Sequence, residues 1–91
     1  MIKNFSDKDT KRLFNREPVR KFQAFARVAL RGLVSLDQAA SLSDLKGTGT
    51  SLEMLKDDLA GYHAIRITGK MRIIFHWSNG HAHDVKITDY H

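Results

Sequence analysis

The spacing of apolar side chains changes once, near the middle of the chain. In the first half Phe22, Phe25, Ala29, Leu33, Leu36 and Ala40 fall within a sector of roughly 80° on a wheel of 3.6 residues per turn. Arg20, Arg27 and Arg31 gather on the opposite side, within roughly 40°. This pattern predicts an amphipathic helix with an apolar stripe towards a core. Ahead of it, Ile2 to Phe5 predicts a short first strand. Ser6-Asp7-Lys8-Asp9 has the form of a capping box, with Ser6 as the acceptor, opening a first helix that runs to about Phe14. Glu17-Pro18 interrupts, because a residue before proline avoids the helical region.

Ser41 to Ser51, which carries Gly47-Thr48-Gly49-Thr50, predicts a loop. From Leu52 onward the period is two. Leu52 to Lys56 predicts a strand and Asp57 to Gly61 a turn. His63, Ile65 and Ile67 then alternate with Ala64, Arg66 and Thr68. After Gly69-Lys70, Met71, Ile73, Phe75 and Trp77 alternate with Arg72, Ile74 and His76. Asn79-Gly80 marks a hairpin, since both residues tolerate positive φ. A last strand turns Val85 and Ile87 inward and reaches the final residues. Strand, helix, helix and a meander of strands predict an α+β fold. An N-terminal strand and two helices pack on one face of a small, twisted, mostly antiparallel sheet whose other face stays partly open.

Composition narrows the class. At 91 residues, residues 1–91 are expected to form one domain, and 42% hydrophobic content suffices for one core. Without cysteine, a disulfide framework and a thiolate metal site are both excluded. No apolar run approaches the ~20 residues needed to cross a bilayer, and charged residues follow Met1-Ile2-Lys3-Asn4-Phe5 at once instead of a signal peptide. The expectation is a cytoplasmic protein without membrane contact. A net charge of +5 points to an anionic partner, nucleic acid before an acidic protein.

The candidate chemistry collects late in the chain. A strand delivers Thr88-Asp89-Tyr90-His91 as its final residues, and His91 titrates near neutrality, where it can pass protons. A packed end makes this a site; a frayed end makes it a polar tail. Lys56 and Arg72 supply cations in the same half. Cleavage of RNA by its own 2′-hydroxyl needs a proton acceptor, charge neutralisation at phosphorus and a proton donor for the leaving 5′-oxygen, and these residue types supply all three without a metal or other cofactor. His81 and His83 share a face of a regular strand, but two imidazoles fall short of a closed metal site. The arginines of the second helix are either a solvated face or a contact for RNA or ribosome, to which Arg66 and Lys70 add strand cations.

Several stretches, taken together and in order, are specific: Met1-Ile2-Lys3-Asn4-Phe5, Leu52-Glu53-Met54-Leu55-Lys56-Asp57-Asp58, Gly61-Tyr62 with Ile65 and Ile67, Arg72-Ile73-Ile74-Phe75, and Asp89-Tyr90-His91. On these residues the chain resembles the HigB branch of the RelE toxin superfamily over nearly its whole length. The resemblance implies a RelE-like fold and metal-independent cleavage of messenger RNA in the ribosomal decoding site. It implies that Lys56 and Arg72 stabilise phosphate charge, and that Asp89, Tyr90 and His91 orient the nucleotide and move protons, His91 as general base or acid. The implied partner is a HigA-like helix-turn-helix antitoxin, through which alone operator DNA would be reached. The chain departs from the family in having Lys56-Asp57-Asp58-Leu59 where Lys-Gly-Asp-Arg is usual, and Lys70-Met71 where Asn and Trp are usual. Asp57 weakens the positive field beside Lys56, and Lys70 restores part of it. Two other classes fit the residues: a noncatalytic RNA- or ribosome-binding module, and a ParE-like poison of DNA gyrase. Strict alternation also places Asp89 and His91 on the side of Val85 and Ile87, with Tyr90 opposite, so the three share a pocket only if the strand bulges or its end leaves the sheet.

Overall fold

A computed structural model describes residues 1–46 and 52–89. Gly47 to Ser51, the second part of the expected loop, and the terminal Tyr90 and His91 lie outside the described residues. The helices are α1 (Lys8–Phe14), α2 (Ala26–Gln38) and α3 (Leu42–Lys46), and the strands are β1 (Leu52–Met54), β2 (His63–Thr68), β3 (Met71–Ser78) and β4 (His81–Asp89). The strands form one antiparallel sheet in the order β1-β2-β3-β4. This is the α+β arrangement that the periodicity predicts, with one layer of helices on one face.

The core lies between the layers. Ile65, Ile67, Ile73, Phe75, Ala82, Val85 and Ile87 of the sheet pack against Leu13, Phe22, Ala29, Leu33, Leu36 and Leu45 of the helical layer. Gly32 permits the close approach of α2: a Cβ there would stand 2.8 Å from Ile73 Cδ1. Thr10 anchors α1 to the sheet, its fully buried Oγ1 accepting from the Ile87 amide at 3.0 Å.

The N-terminal segment runs parallel to β4, but it makes two isolated bridges, Ile2 with Ala82 and Phe5 with Val85, in place of a continuous strand. The cause is a bulge in β4. Asp84 has φ 54°, and the register with β3 shifts between Ile74 and His76. Asn4 satisfies the bulge, accepting from the Asp84 amide at 3.1 Å and donating to its carboxylate at 2.7 Å. The extra residue reverses the alternation, so Ala82, Val85 and Ile87 all face the core although the first two are three apart. Asn79 (φ 53°) and Gly80 (φ 79°) form the expected β3–β4 hairpin turn.

Four local expectations are corrected. Asp7, not Ser6, caps α1, accepting from the Thr10 amide, while the Ser6 hydroxyl donates to the Asp84 carbonyl. The second helix opens with a 3-10 segment, Arg20–Phe25, before α2 begins. It ends at Gln38, where Ala39 turns extended, so Ala39 is buried and Ala40 exposed. Leu42–Lys46 is helical where a loop was expected, because Asp44 accepts from the amides of Ala40 and Ser41 and Leu45 is buried. The strand expected over Leu52 to Lys56 stops at Met54. Lys56 instead precedes a 3-10 turn at Asp57–Leu59.

Candidate active site

Period-two alternation turns the other half of each strand to the face without helices. A small second cluster sits there: Leu55, Ala64 and Ile74, with Leu59 and Tyr62 packed against them. Arg66 and Arg72 are direct cross-strand partners on this face, and Thr88 is the partner of Arg72 on the far side. Lys86 stands opposite Ile74 and is exposed. Two guanidinium groups facing each other on one sheet surface oppose folding by a few tenths of a kcal/mol or more. Glu53 relieves part of this, its carboxylate lying 3.5 Å from Arg66 Nη2.

Arg72 is 8% exposed. Its Nη1 donates to the carbonyls of Gly69 at 2.8 Å and Met71 at 3.1 Å, which ties the guanidinium to the β2–β3 turn. Its Nε is buried and has no hydrogen-bond partner among the described residues. A buried charged donor left open in this way is costly unless an acceptor fills it. Lys70, exposed in the same turn, adds a further cation two residues before Arg72 in the chain.

Lys56 stands at the other end of this face. Leu55 donates its amide to the Tyr62 carbonyl, and Leu59 donates to that of Lys56, so the segment from Lys56 to Tyr62 folds as a compact margin of the surface. The structure thus pairs Arg66 with Arg72 directly and places Lys56 at the far margin of the face, not beside them. Asp57 takes φ 58° within that margin, strained for a residue other than glycine. Glycine would adopt that conformation without strain.

The alternation did not single out a ring pair on this face. Tyr62 and His76 lie with ring centroids 3.8 Å apart, and His76 Nδ1 is 3.2 Å from the Gly61 carbonyl. With Nδ1 donating to that carbonyl, His76 is held against the margin that carries Lys56. His83 is the cross-strand partner of His76. The signal for His76 was present, since it shares the parity of Arg72 and Ile74. Its stacking on Tyr62 depends on the turn between them.

Two histidines are held below their ordinary pKa. Burial, and then the nearby charge of His76, lower that of His63, which stacks on Phe75 at 5.7 Å between centroids. Partial burial lowers His81, followed by Lys3, the N-terminal amine and His83. No group of three or more metal-ligating side chains occurs among the described residues.

Asp89 is the last residue of β4 and the cross-strand partner of Met71. The pairing from Lys86 to Asp89 is continuous, so the bulge in β4 lies at Asp84 and not near its end. Asp89 therefore keeps the parity of Ile87. Tyr90 and His91, expected to share its pocket, are outside the described residues. Arg20, Arg27 and Arg31 are exposed and belong to the helical layer, on the opposite side of the molecule from Arg66 and Arg72. No helix among the described residues is long and apolar enough to cross a membrane.

Helices layered on an antiparallel sheet whose open face carries paired arginines are consistent with a RelE-like toxin. The profile of one family, described as the RelE-like toxin of the type II toxin-antitoxin system HigB, matches residues 3–91. The chain is also similar to the protein named Endoribonuclease HigB from Proteus vulgaris, 33% identical over 93 residues that span all of both chains. This chain belongs to the HigB-like toxin family of type II toxin-antitoxin systems, a class that implies an antitoxin partner.

Proposed function

We propose that this toxin is an endoribonuclease that cuts messenger RNA in the decoding site of the ribosome and so stops translation. The observation that carries the reading is the end-to-end similarity to a protein named as an endoribonuclease, in a chain whose open sheet face pairs Arg66 with Arg72. Phosphate oxygens are the acceptors that such guanidinium groups bind. The apolar floor of Ala64 and Ile74 lies between Arg66 and Arg72 at one end and Lys56 and His76 at the other, a surface suited to a nucleotide with its phosphates at the cations.

The reaction needs no metal in this reading. One group takes the proton of the ribose 2′-hydroxyl, and the resulting alkoxide attacks the adjacent phosphorus. The bond from phosphorus to the 5′-oxygen then breaks, leaving a 2′,3′-cyclic phosphate, and a second group protonates the departing oxygen. His91 serves as base or acid and Tyr90 orients the nucleotide, with Asp89 acting from the end of β4, where its parity is that of Ile87 and not of the open face. Arg72 and Lys56, at opposite ends of the floor, hold phosphates on either side of the nucleotide, and the one nearer the scissile bond neutralises the charge gathered on its phosphoryl oxygens. Arg66 and Lys70 hold the strand of RNA beside them. The partner is a HigA-like helix-turn-helix antitoxin, and operator DNA is reached only through it. The site of action is the cytoplasm.

The test incubates purified protein with a defined messenger, with and without programmed ribosomes, in buffer containing EDTA. Cleavage only with ribosomes, unaffected by chelation and leaving cyclic phosphate ends, supports the proposal. Intact messenger under all conditions overturns it.

A further inference from the structure

The helical layer carries a groove that the proposed chemistry does not use. It lies where α1 gives way, through Pro18, to the 3-10 segment and α2. A cleft of about 470 Å³ is lined by Leu13, Pro18, Val19, Arg20, Gln23 and Ala26 together with Glu17. A second, of about 400 Å³, shares Leu13, Glu17, Pro18 and Ala26 and continues past Arg16 and Arg27 to Leu30. The floor is aliphatic, and the rim carries three guanidinium groups. Glu17 is the one acid in the lining of either cleft, and it already faces Arg12 at 3.6 Å. Among the described residues, no carboxylate forms an ion pair with Arg16, Arg20 or Arg27.

We propose that this groove is a docking surface for an acidic, amphipathic segment of the antitoxin. Such a segment would seat an aliphatic side chain between Leu13, Val19, Ala26 and Leu30 and lay carboxylates against Arg16, Arg20 and Arg27. Charge complementarity selects this occupant: guanidinium groups without a carboxylate partner match carboxylates, Arg20 and Arg27 bidentately and Arg16 while its Nη1 holds the Phe14 carbonyl, and an aliphatic floor rewards an apolar anchor. RNA fits less well, because no aromatic side chain lines either cleft to receive a base. The groove and the Arg66–Arg72 face belong to opposite layers, so an antitoxin seated here leaves the open sheet face uncovered. The inference rests on membership of a toxin–antitoxin family and not on the nuclease reading.

The experiment titrates purified antitoxin into the full-length toxin by calorimetry, alongside ribosome-dependent cleavage. Ala26→Glu places bulk and a like charge in the floor. It is expected to weaken antitoxin binding by at least tenfold and to leave cleavage by the free toxin within twofold. Arg20→Glu with Arg27→Glu is expected to weaken antitoxin binding further, with a reduced dependence on salt. The uncharged Arg20→Gln/Arg27→Gln pair gives a smaller loss of the same sign and serves if the charge reversal fails to fold. Antitoxin affinity within twofold of wild type in folded Ala26→Glu and the glutamine pair overturns the proposal. So does a loss of ribosome binding without loss of antitoxin binding in the arginine variants, which assigns the rim to RNA. Absence of cleavage by the wild type, with antitoxin binding intact and groove-dependent, sinks the nuclease reading alone.

Discussion

Thr10→Val tests how the end of β4 is held. In the wild type the Thr10 hydroxyl is fully buried and accepts from the Ile87 amide at 3.0 Å. Valine keeps the shape and replaces the oxygen with a methyl group, which leaves that amide buried without a partner. An orphaned donor of this kind costs about 1–3 kcal/mol, and the added methyl returns up to about 0.8 kcal/mol of apolar burial. Taking the middle of that cost, about 2 kcal/mol, the expected net loss is about 1–2 kcal/mol. For a domain of this size that lowers Tm by about 4–15 °C. Urea denaturation gives the free energy, and amide exchange at Ile87 locates it: exchange should quicken in Thr10→Val but stay slow in Thr10→Ser, which keeps the hydroxyl. Asp89 lies two residues beyond Ile87, so loosening at this point should also lower cleavage. A Thr10→Val protein within 0.5 kcal/mol of wild type, with Ile87 still protected, would refute the reasoning.

Three further outcomes follow from other parts of the molecule. Arg16 ends α1 with φ 64°, while its amide and that of Glu17 close back on Leu13 and Arg12; Arg16→Gly should therefore raise stability by about 0.5–1 kcal/mol in urea denaturation. The folded pKa of His63 is depressed below 6.5, so the unfolded chain binds the extra proton first. Stability should be full above about pH 6.5, fall as pH drops from there towards the folded value, and level off below it; urea midpoints between pH 7.5 and 5 should show a shallower slope in His63→Gln. Arg72→Lys keeps the charge but loses the planar guanidinium whose Nη1 binds two carbonyls, so cleavage should drop about 100-fold with ribosome binding little changed.

The sheet was legible because its alternation is strong and its turns carry clear chemistry. Ile65 and Ile67 in β2, and Ile73 and Phe75 in β3, specify one buried face, and Asn79-Gly80 specifies the hairpin between β3 and β4. From the same parity and the Gly69-Lys70 turn, Arg66 and Arg72 had to share the opposite face. The bulge at Asp84 was harder to see, since it shows only as the odd spacing between Ala82 and Val85 and depends on Asn4, eighty residues away in sequence. Helix α3 was missed because the glycine and threonine run after Lys46 outweighed the Ser41-Leu42-Ser43-Asp44 capping signal. Asp7 displaced Ser6 as the cap of α1 because the Ser6 hydroxyl is engaged by the Asp84 carbonyl, a tertiary contact that local sequence does not carry. The stacking of Tyr62 on His76 likewise needed the path of the turn from Lys56 to Tyr62.

The account turns on whether the terminal imidazole moves a proton during RNA cleavage. The most direct measurement compares wild type and His91→Ala on programmed ribosomes, reading ribosome affinity and messenger cleavage in the same samples. Unchanged affinity with cleavage reduced about 100-fold or more is the predicted result. Equal cleavage by the two proteins would contradict the account.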